Sequence, residues 1–242
     1  MMLPMSKIKT RKRNQLRPVT IQKFPTQAAG SVIIKQGNTH VLCTASIASE
    51  MPRWLKPKPG EEPTQGWVTA EYNMLPASTT DRKRRGPDSR GTEIQRLIGR
   101  VLRAAVDLEK MPGLAITCDC DVLQADGGTR TASITGAYVA LAQAIAFARK
   151  EGMIKTNPLT GNVAAISVGI IDGEPTLDLD YPLDVRAEVD MNIAMNKKGQ
   201  FIEVQGTGEH GTFSRTELDS LLDLATKGIK QLFRVQNAFL KK

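Results

Sequence analysis

Aromatic side chains are scarce in this chain. Two Trp, three Tyr and six Phe make up 5% of its 242 residues, too few for a wide base-stacking platform. Cysteine is scarcer still. Cys43, Cys118 and Cys120 cannot close a disulfide framework, and no Cys-x-x-Cys pair is present, which argues against a zinc site and for a reducing compartment. On a strand, Cys118 and Cys120 point to one face, as suits buried thiols. The two histidines, His40 and His210, sit in no recognisable triad and read as structural or surface residues. The opening MMLPMSKIKTRKR lacks a long apolar stretch, so no secretory signal is expected and the chain is placed in the cytoplasm. Residues 131–148 carry no charge and reach the length of a short membrane span. Thr131, Ser133, Thr135, Gly136 and Gln143 make that run too polar for lipid, so a buried, alanine-rich helix and no membrane contact are expected.

Positive charge is in excess. The 33 Lys and Arg against 25 Asp and Glu leave a formal charge of +8, which favours a polyanionic partner. Lys7, Lys9, Arg11, Lys12, Arg13 and Arg17 crowd the beginning, and residues 1–13 read as a basic arm ahead of one domain over 14–242. Apolar, β-branched runs at 19–24, 31–35 and 39–47 predict a meander. A Pro- and Gly-rich loop (48–66) leads to a strand at 67–75, a basic loop at 81–91 and a helix carrying Ile94, Leu97, Ile98, Val101 and Leu102 at helical spacing. A strand at 114–123, a tight turn at Asp126-Gly127-Gly128 and a helix over 129–150 come next. Strands near 163–171, 176–181, 185–195 and 201–206 and a final helix over about 215–240 complete the chain. Grouped strands with helices between and after them predict an α+β fold with mixed sheets.

Glycine, a hydroxyl and arginine coincide at two predicted helix starts: Ser89-Arg90-Gly91-Thr92 and Gly127-Gly128-Thr129-Arg130. A helix start offers unpaired N–H groups and partial positive charge, glycine allows close backbone approach, and arginine adds a fork of donors matched to phosphate oxygens. Each motif alone has a simpler reading, Thr129 as a helix cap or Arg90 as half of a surface ion pair. Together they would grip one phosphate from two sides.

The third feature is acidic. TLDLDYPLDVRAEVDM (176–191) holds Asp178, Asp180, Asp184, Glu188 and Asp190. Read as a strand from Asp184 onward, it puts Asp184, Arg186, Glu188 and Asp190 on one face, either a solvated acidic face or a site for magnesium or proton transfer. Six extended residues span about 20 Å, too far for Asp184 and Asp190 to share one ion. Either the chain bends near Asp184, after Tyr181-Pro182, or only one of the two touches the metal; the bend is expected.

Long stretches carry a resemblance: LQADGGTRTASITGA (123–137), EIQRLIGRVLRAAVDL (93–108), GWVTAEYNMLP (66–76), DMNIAM (190–195) and IEVQGTGE (202–209). From about Gln15 to Phe239 the chain resembles the ribonuclease PH family. The resemblance implies a phosphate-dependent 3′-to-5′ exoribonuclease, a nucleotidyltransferase acting on 3′ ends of transfer RNA precursors and other structured RNA. It implies a fold like the second domain of ribosomal protein S five and a ring of six subunits built as a trimer of dimers. Arg90, Gly128, Thr129 and Arg130 take the family's phosphate-binding positions, and Asp184 and Asp190 those of its two catalytic aspartates, with magnesium as the metal. Asn14-Gln15-Leu16-Arg17-Pro18 departs from the family's Asp-x-x-Arg-Pro, and Ala77 stands where arginine is common, although Arg82, Lys83, Arg84 and Arg85 follow closely. The MPRWLKPKPGEEPT stretch looks lengthened.

RNA contact is expected along the basic loop Arg82–Arg85. Arg96, Arg100 and Arg103 share one side of the following helix and read as a solvated face or a subunit contact. Two rivals remain: a non-catalytic, ring-forming RNA-binding subunit, and a hydrolytic nuclease.

Overall fold

The computed structural model describes residues 11–48, 50–86 and 88–241. Residues 1–10, most of the proposed arm, lie outside that range. Arg11 and Arg13, assigned to the arm from sequence, are anchored on the body: Arg11 donates to the carbonyls of Leu177 at 3.0 Å and Asp178 at 2.7 Å, and Arg13 to that of Ile171 at 2.6 Å.

Alternating apolar residues build the first sheet. β1 (Val19–Lys23), β2 (Gly30–Gln36), β3 (Thr39–Ala48), β4 (Trp67–Met74) and β5 (Ala115–Gln124) lie in the order β1-β2-β3-β5-β4. All pairs are antiparallel except β4 with β5. One face sends Val32, Ile34, Val41, Cys43, Val68, Ala70, Ile116, Cys118 and Cys120 into the core. Two helices cover it: α1 (Ser89–Arg103), which follows β4, and α2 (Thr129–Lys150), which follows β5. The three cysteines are free and buried, as the sequence suggested. By length and composition α2 is apolar enough to cross a membrane. Most of its apolar side chains are instead in the core, against β2, β3 and a second sheet, with Phe147 left exposed.

That second sheet, in the order β7-β6-β8-β9, contains β6 (Val163–Ile171), β7 (Glu174–Leu177), β8 (Val189–Asn196) and β9 (Phe201–Gly208). Every residue of β6 is buried, because it is sandwiched between α2 and the last helix, α4 (Arg215–Leu240). Ile166, Val168 and Ile170 meet Leu221, Ala225, Ile229 and Leu232 of α4. A capping box starts α4: the Ser214 and Glu217 side chains each satisfy the other's backbone N–H.

The acidic segment is not the strand its alternation suggested. β7 ends at Leu177, residues Tyr181–Arg186 form a short helix, α3, and β8 begins only at Val189. Asp180 caps that helix, its side chain accepting from the Leu183 N–H at 3.2 Å. Pro182 sits in the first turn, where its missing N–H costs nothing. An Asp two residues before a proline was the helix-start signal, overridden by the alternation. The expected bend at Asp184 is therefore a helical turn. Arg186 points away to the Asp172 carboxylate at 2.8 Å, and Glu188 accepts from the Gly173 N–H at 3.2 Å.

Candidate active site

Parallel pairing of β4 and β5 brings the two helix starts together. Parallel neighbours end on the same side of a sheet. Met74 of β4 is level with Val122 of β5, so the chain leaves both strands at one edge and enters α1 and α2 side by side. The exit loops are stitched together by Leu75 N–H to Val122 O at 3.0 Å and Ala125 N–H to Ser78 O at 2.8 Å. The second sheet adds the start of β8, where Asp190 pairs with Gly169 and Asn192 with Ser167 of β6.

A cavity of about 540 Å³ opens where these pieces meet. Arg90, Gly128, Thr129, Arg130, Asp184 and Asp190 all line it. Arg82 and Lys83 form part of its wall, and Lys83, Arg84 and Arg85 line a neighbouring cavity that shares Met74 and Arg90. Every site residue proposed from the sequence thus borders one or other of these two neighbouring cavities.

The α2 start is left open to a ligand. Its cap residue, Gly128, has φ +67° and ψ 24° and brings no capping side chain. Gly127 has φ +71°, and a Cβ there would sit 2.5 Å from the Leu179 carbonyl oxygen. The left-handed backbone and the contact with the 179–181 segment both require glycine. Thr129 is the first helical residue, not the cap, and accepts a hydrogen bond from the Tyr72 hydroxyl at 2.9 Å. Arg130 donates to Gln205 Oε1 at 2.7 Å and lies 3.6 Å from Glu93, which itself accepts from Gln205 at 3.0 Å. At the α1 start, Asp88 caps the Gly91 N–H, leaving Arg90 to line both cavities.

The carboxylates face this positive edge. Burial pushes Asp190 up to about 6, helped by the charges of Asp184 and Glu209 and opposed by Arg130. Asp190 Oδ1 is buried with no hydrogen-bond partner among the described residues. Asp184 stands at the rim, exposed by area, yet desolvation still raises its carboxyl against the pull of Arg90 and Arg130. A buried oxygen without a partner is costly unless a proton or cation completes it.

Residues 15–145 match the 3′ exoribonuclease family, domain 1, and residues 161–228 match domain 2 of the same family. The chain belongs to that family. The ribonuclease PH of Corynebacterium efficiens is 54% identical over 236 residues, 95% of this chain and 94% of that one. The ribonuclease PH of Corynebacterium diphtheriae is 53% identical, over 94% of this chain and 95% of that one. Among solved structures, rice Rrp46 superposes with a TM-score of 0.77 at 21% identity, covering 98% of this chain and 100% of the other. The Archaeoglobus fulgidus exosome with RNA bound to the active site superposes at 0.79 and 21% identity, covering 93% and 90%. These distant structures share the ribonuclease PH-like α+β fold.

Several residues at the site escaped the sequence reading. Ser167, Tyr181 and Asn192 line the main cavity. Only the register of β6 with β8 reveals Ser167. Asn192, two residues past Asp190 on one strand face, was legible by alternation. Glu209 and His210 line a smaller depression with Asp184 and Asp190, so His210 lies at the site's border. The α1 arginines divide: Arg100 pairs with Glu203 at 3.1 Å, Arg103 donates to Val68 O at 2.9 Å and covers the Trp67 ring at 4.5 Å, and Arg96 is exposed.

Proposed function

We propose that the chain is a phosphorolytic 3′-to-5′ exoribonuclease, a nucleotidyltransferase that trims 3′ ends of transfer RNA precursors and other structured RNA. One observation carries the reading: Arg90, Gly128, Thr129 and Arg130 border the same cavity as Asp184 and Asp190. Inorganic phosphate is held by the two guanidinium groups and the open N–H groups of α2. One of its oxygens attacks the phosphorus of the last internucleotide linkage, and the bond from phosphorus to the 3′ oxygen of the penultimate nucleotide breaks. The products are a nucleoside diphosphate and an RNA one nucleotide shorter, whose 3′ oxygen takes up a proton. The arginines and the helix start neutralise an attacking anion that would otherwise be repelled by the RNA backbone. Asp190, held near 6 by burial, suits delivery of that proton at neutral pH.

In the alternative role Asp184 and Asp190 would hold magnesium, and the buried, unpartnered Asp190 Oδ1 fits a cation ligand. Among the described residues no group of three or more His, Cys, Asp or Glu gathers as a metal site. The ion would therefore complete its shell with substrate oxygens and water. Bound there, it would neutralise charge on the reacting phosphoryl oxygens. Arg82, Lys83, Arg84 and Arg85 bind the RNA backbone and give salt-sensitive affinity with little sequence preference. Residues 14–242 act as one catalytic domain, supported by a site that draws on both sheets. A homo-oligomeric ring of six, built as a trimer of dimers, and a cytoplasmic setting complete the proposal. The free, buried cysteines favour that setting.

Incubation of the protein with RNA, with and without phosphate, tests this reading. Nucleoside diphosphates released only with phosphate support it. Monophosphates released without phosphate establish a hydrolase, and no release in either case leaves an RNA-binding subunit.

A further inference from the structure

Beneath the phosphate turn lies a buried polar strut that none of the chemistry above uses. Arg17, just before β1, is 6% exposed and Asp178, just after β7, is 0% exposed. The Asp178 carboxylate accepts from Arg17 Nε at 3.1 Å, Arg17 Nη2 at 2.7 Å, the Arg17 backbone N–H at 2.7 Å and Gln36 Nε2 at 2.6 Å. The other edge of the same guanidinium donates to the carbonyls of Asp126 and, at 3.4 Å, Gly127. Thr39 holds the same turn: its hydroxyl donates to Gly127 O at 2.7 Å and accepts from the Asp126 N–H at 3.0 Å. The Gly127–Gly128 segment, whose chemistry is to face an anion, is thus gripped from behind by three donor bonds to two successive carbonyls.

In a trans peptide the C=O and the following N–H point in opposite directions. Drawing the Asp126 and Gly127 carbonyls toward Arg17 and Thr39 therefore turns the Gly127 and Gly128 N–H groups the other way. Both glycines line the cavity, and neither N–H has a protein acceptor among the described residues. With φ positive at both glycines, the turn has many conformations open to it when unsupported. We propose that Arg17, Thr39 and Asp178 are positioning residues that aim the Gly127 and Gly128 amides at the phosphate co-substrate. The inference rests on the reading of the cavity as a phosphate site, and it assigns the strut to phosphate affinity, not to RNA binding or bond breaking.

The test is a split of kinetic constants. Thr39→Val removes the hydroxyl at nearly constant volume, and Thr39→Ser keeps it. Thr39→Val is expected to raise the phosphate KM about tenfold, the usual worth of a buried hydrogen bond. Its KM for RNA and its kcat at saturating phosphate should stay within about twofold, and Thr39→Ser should restore the phosphate KM. Arg17→Lys is the second variant, for the case in which Thr39→Val does not fold: it keeps the charge but cannot span the carboxylate and both carbonyls, so the phosphate KM should again rise. If every variant that folds, by melting curve, saturates at the same phosphate concentration as the unsubstituted protein, the strut is structural only and the inference fails. If the unsubstituted protein releases nucleotides without regard to phosphate, the phosphate reading itself fails. The two failures are therefore distinguishable.

Discussion

Replacing Asp190 with asparagine should make the protein more stable at alkaline pH while abolishing turnover. In the folded chain the Asp190 carboxyl is pushed up to about 6, chiefly by burial, from an ordinary value of 3.8. A carboxyl raised on folding binds its proton more tightly in the native state. Its ionisation therefore costs stability, from little at pH 4 to the full amount above pH 6. Two pKa units correspond to about 3 kcal/mol, an upper figure because part of the group reaches solvent. Between pH 4.5 and pH 8 the cost grows by on the order of 1–2 kcal/mol. Asparagine keeps the shape and carries no charge, so the variant escapes this cost. For a chain of this size that is roughly 2–8 °C of melting temperature. Thermal melts of both proteins at pH 4.5 and pH 8, without phosphate or divalent metal, supply the comparison, and RNA turnover is followed in parallel. A gain at pH 8 that shrinks at pH 4.5, with no turnover, is expected. A shift of equal size at both values would refute the assignment of a buried, raised carboxyl, and near-normal turnover would remove Asp190 from the chemistry.

Arg130→Ala should raise the phosphate KM by roughly 10- to 100-fold, since a charge-assisted hydrogen bond is worth about 1.5–3 kcal/mol, while RNA still binds; unchanged phosphate saturation in initial-rate assays would contradict this. Gly127→Ala should cost on the order of 1–3 kcal/mol, because its φ is +71° and its Cβ would meet the Leu179 carbonyl at 2.5 Å; denaturant unfolding checks it, and wild-type stability would show that the turn is not as tight as described. Alanines at Arg82, Lys83, Arg84 and Arg85 together should weaken RNA binding and flatten its dependence on log salt by about 0.7 per lost phosphate contact, which titrations at several salt concentrations measure. If Asp190 delivers the proton, the rate at saturating phosphate should show an inflection near pH 6, the value to which burial raises its carboxyl. A fall as pH rises through that point marks Asp190 as the proton donor, and a flat profile excludes it from that role.

Most of the fold was legible because its signals are local. The alternating residues of β2, β3 and β5 and the helical spacing of Ile94, Leu97, Ile98 and Val101 are each settled within a few neighbours. The Tyr181–Arg186 helix was missed because two local signals conflict there. Charge alternation over 184–190 suggests a strand, whereas Asp180 with Pro182 marks a helix start, and capping with a proline-fixed turn won. The proposed phosphate and carboxylate positions could be singled out because glycine and arginine coincide at two helix starts and carboxylates cluster further on; each motif alone had a simpler reading, and the family resemblance supplied the weight. Arg17, Thr39 and Ser167 could not be, as each meets residues more than 80 positions away or depends on a register that only pairing defines. A buried arginine looks the same in sequence as a solvated one, and Arg17 was counted among the basic residues near the start of the chain.

The central claim is that one anion is held jointly by two helix starts beside two carboxylates. A crystal of this protein soaked in tungstate, a heavy phosphate mimic visible by its anomalous signal, tests it most directly. The ion should lie within about 3.2 Å of donors from both Arg90 and the Gly128–Arg130 turn, in the cavity that Asp184 and Asp190 also line. Tungstate bound elsewhere, with that cavity left empty at saturating concentration, would contradict the account.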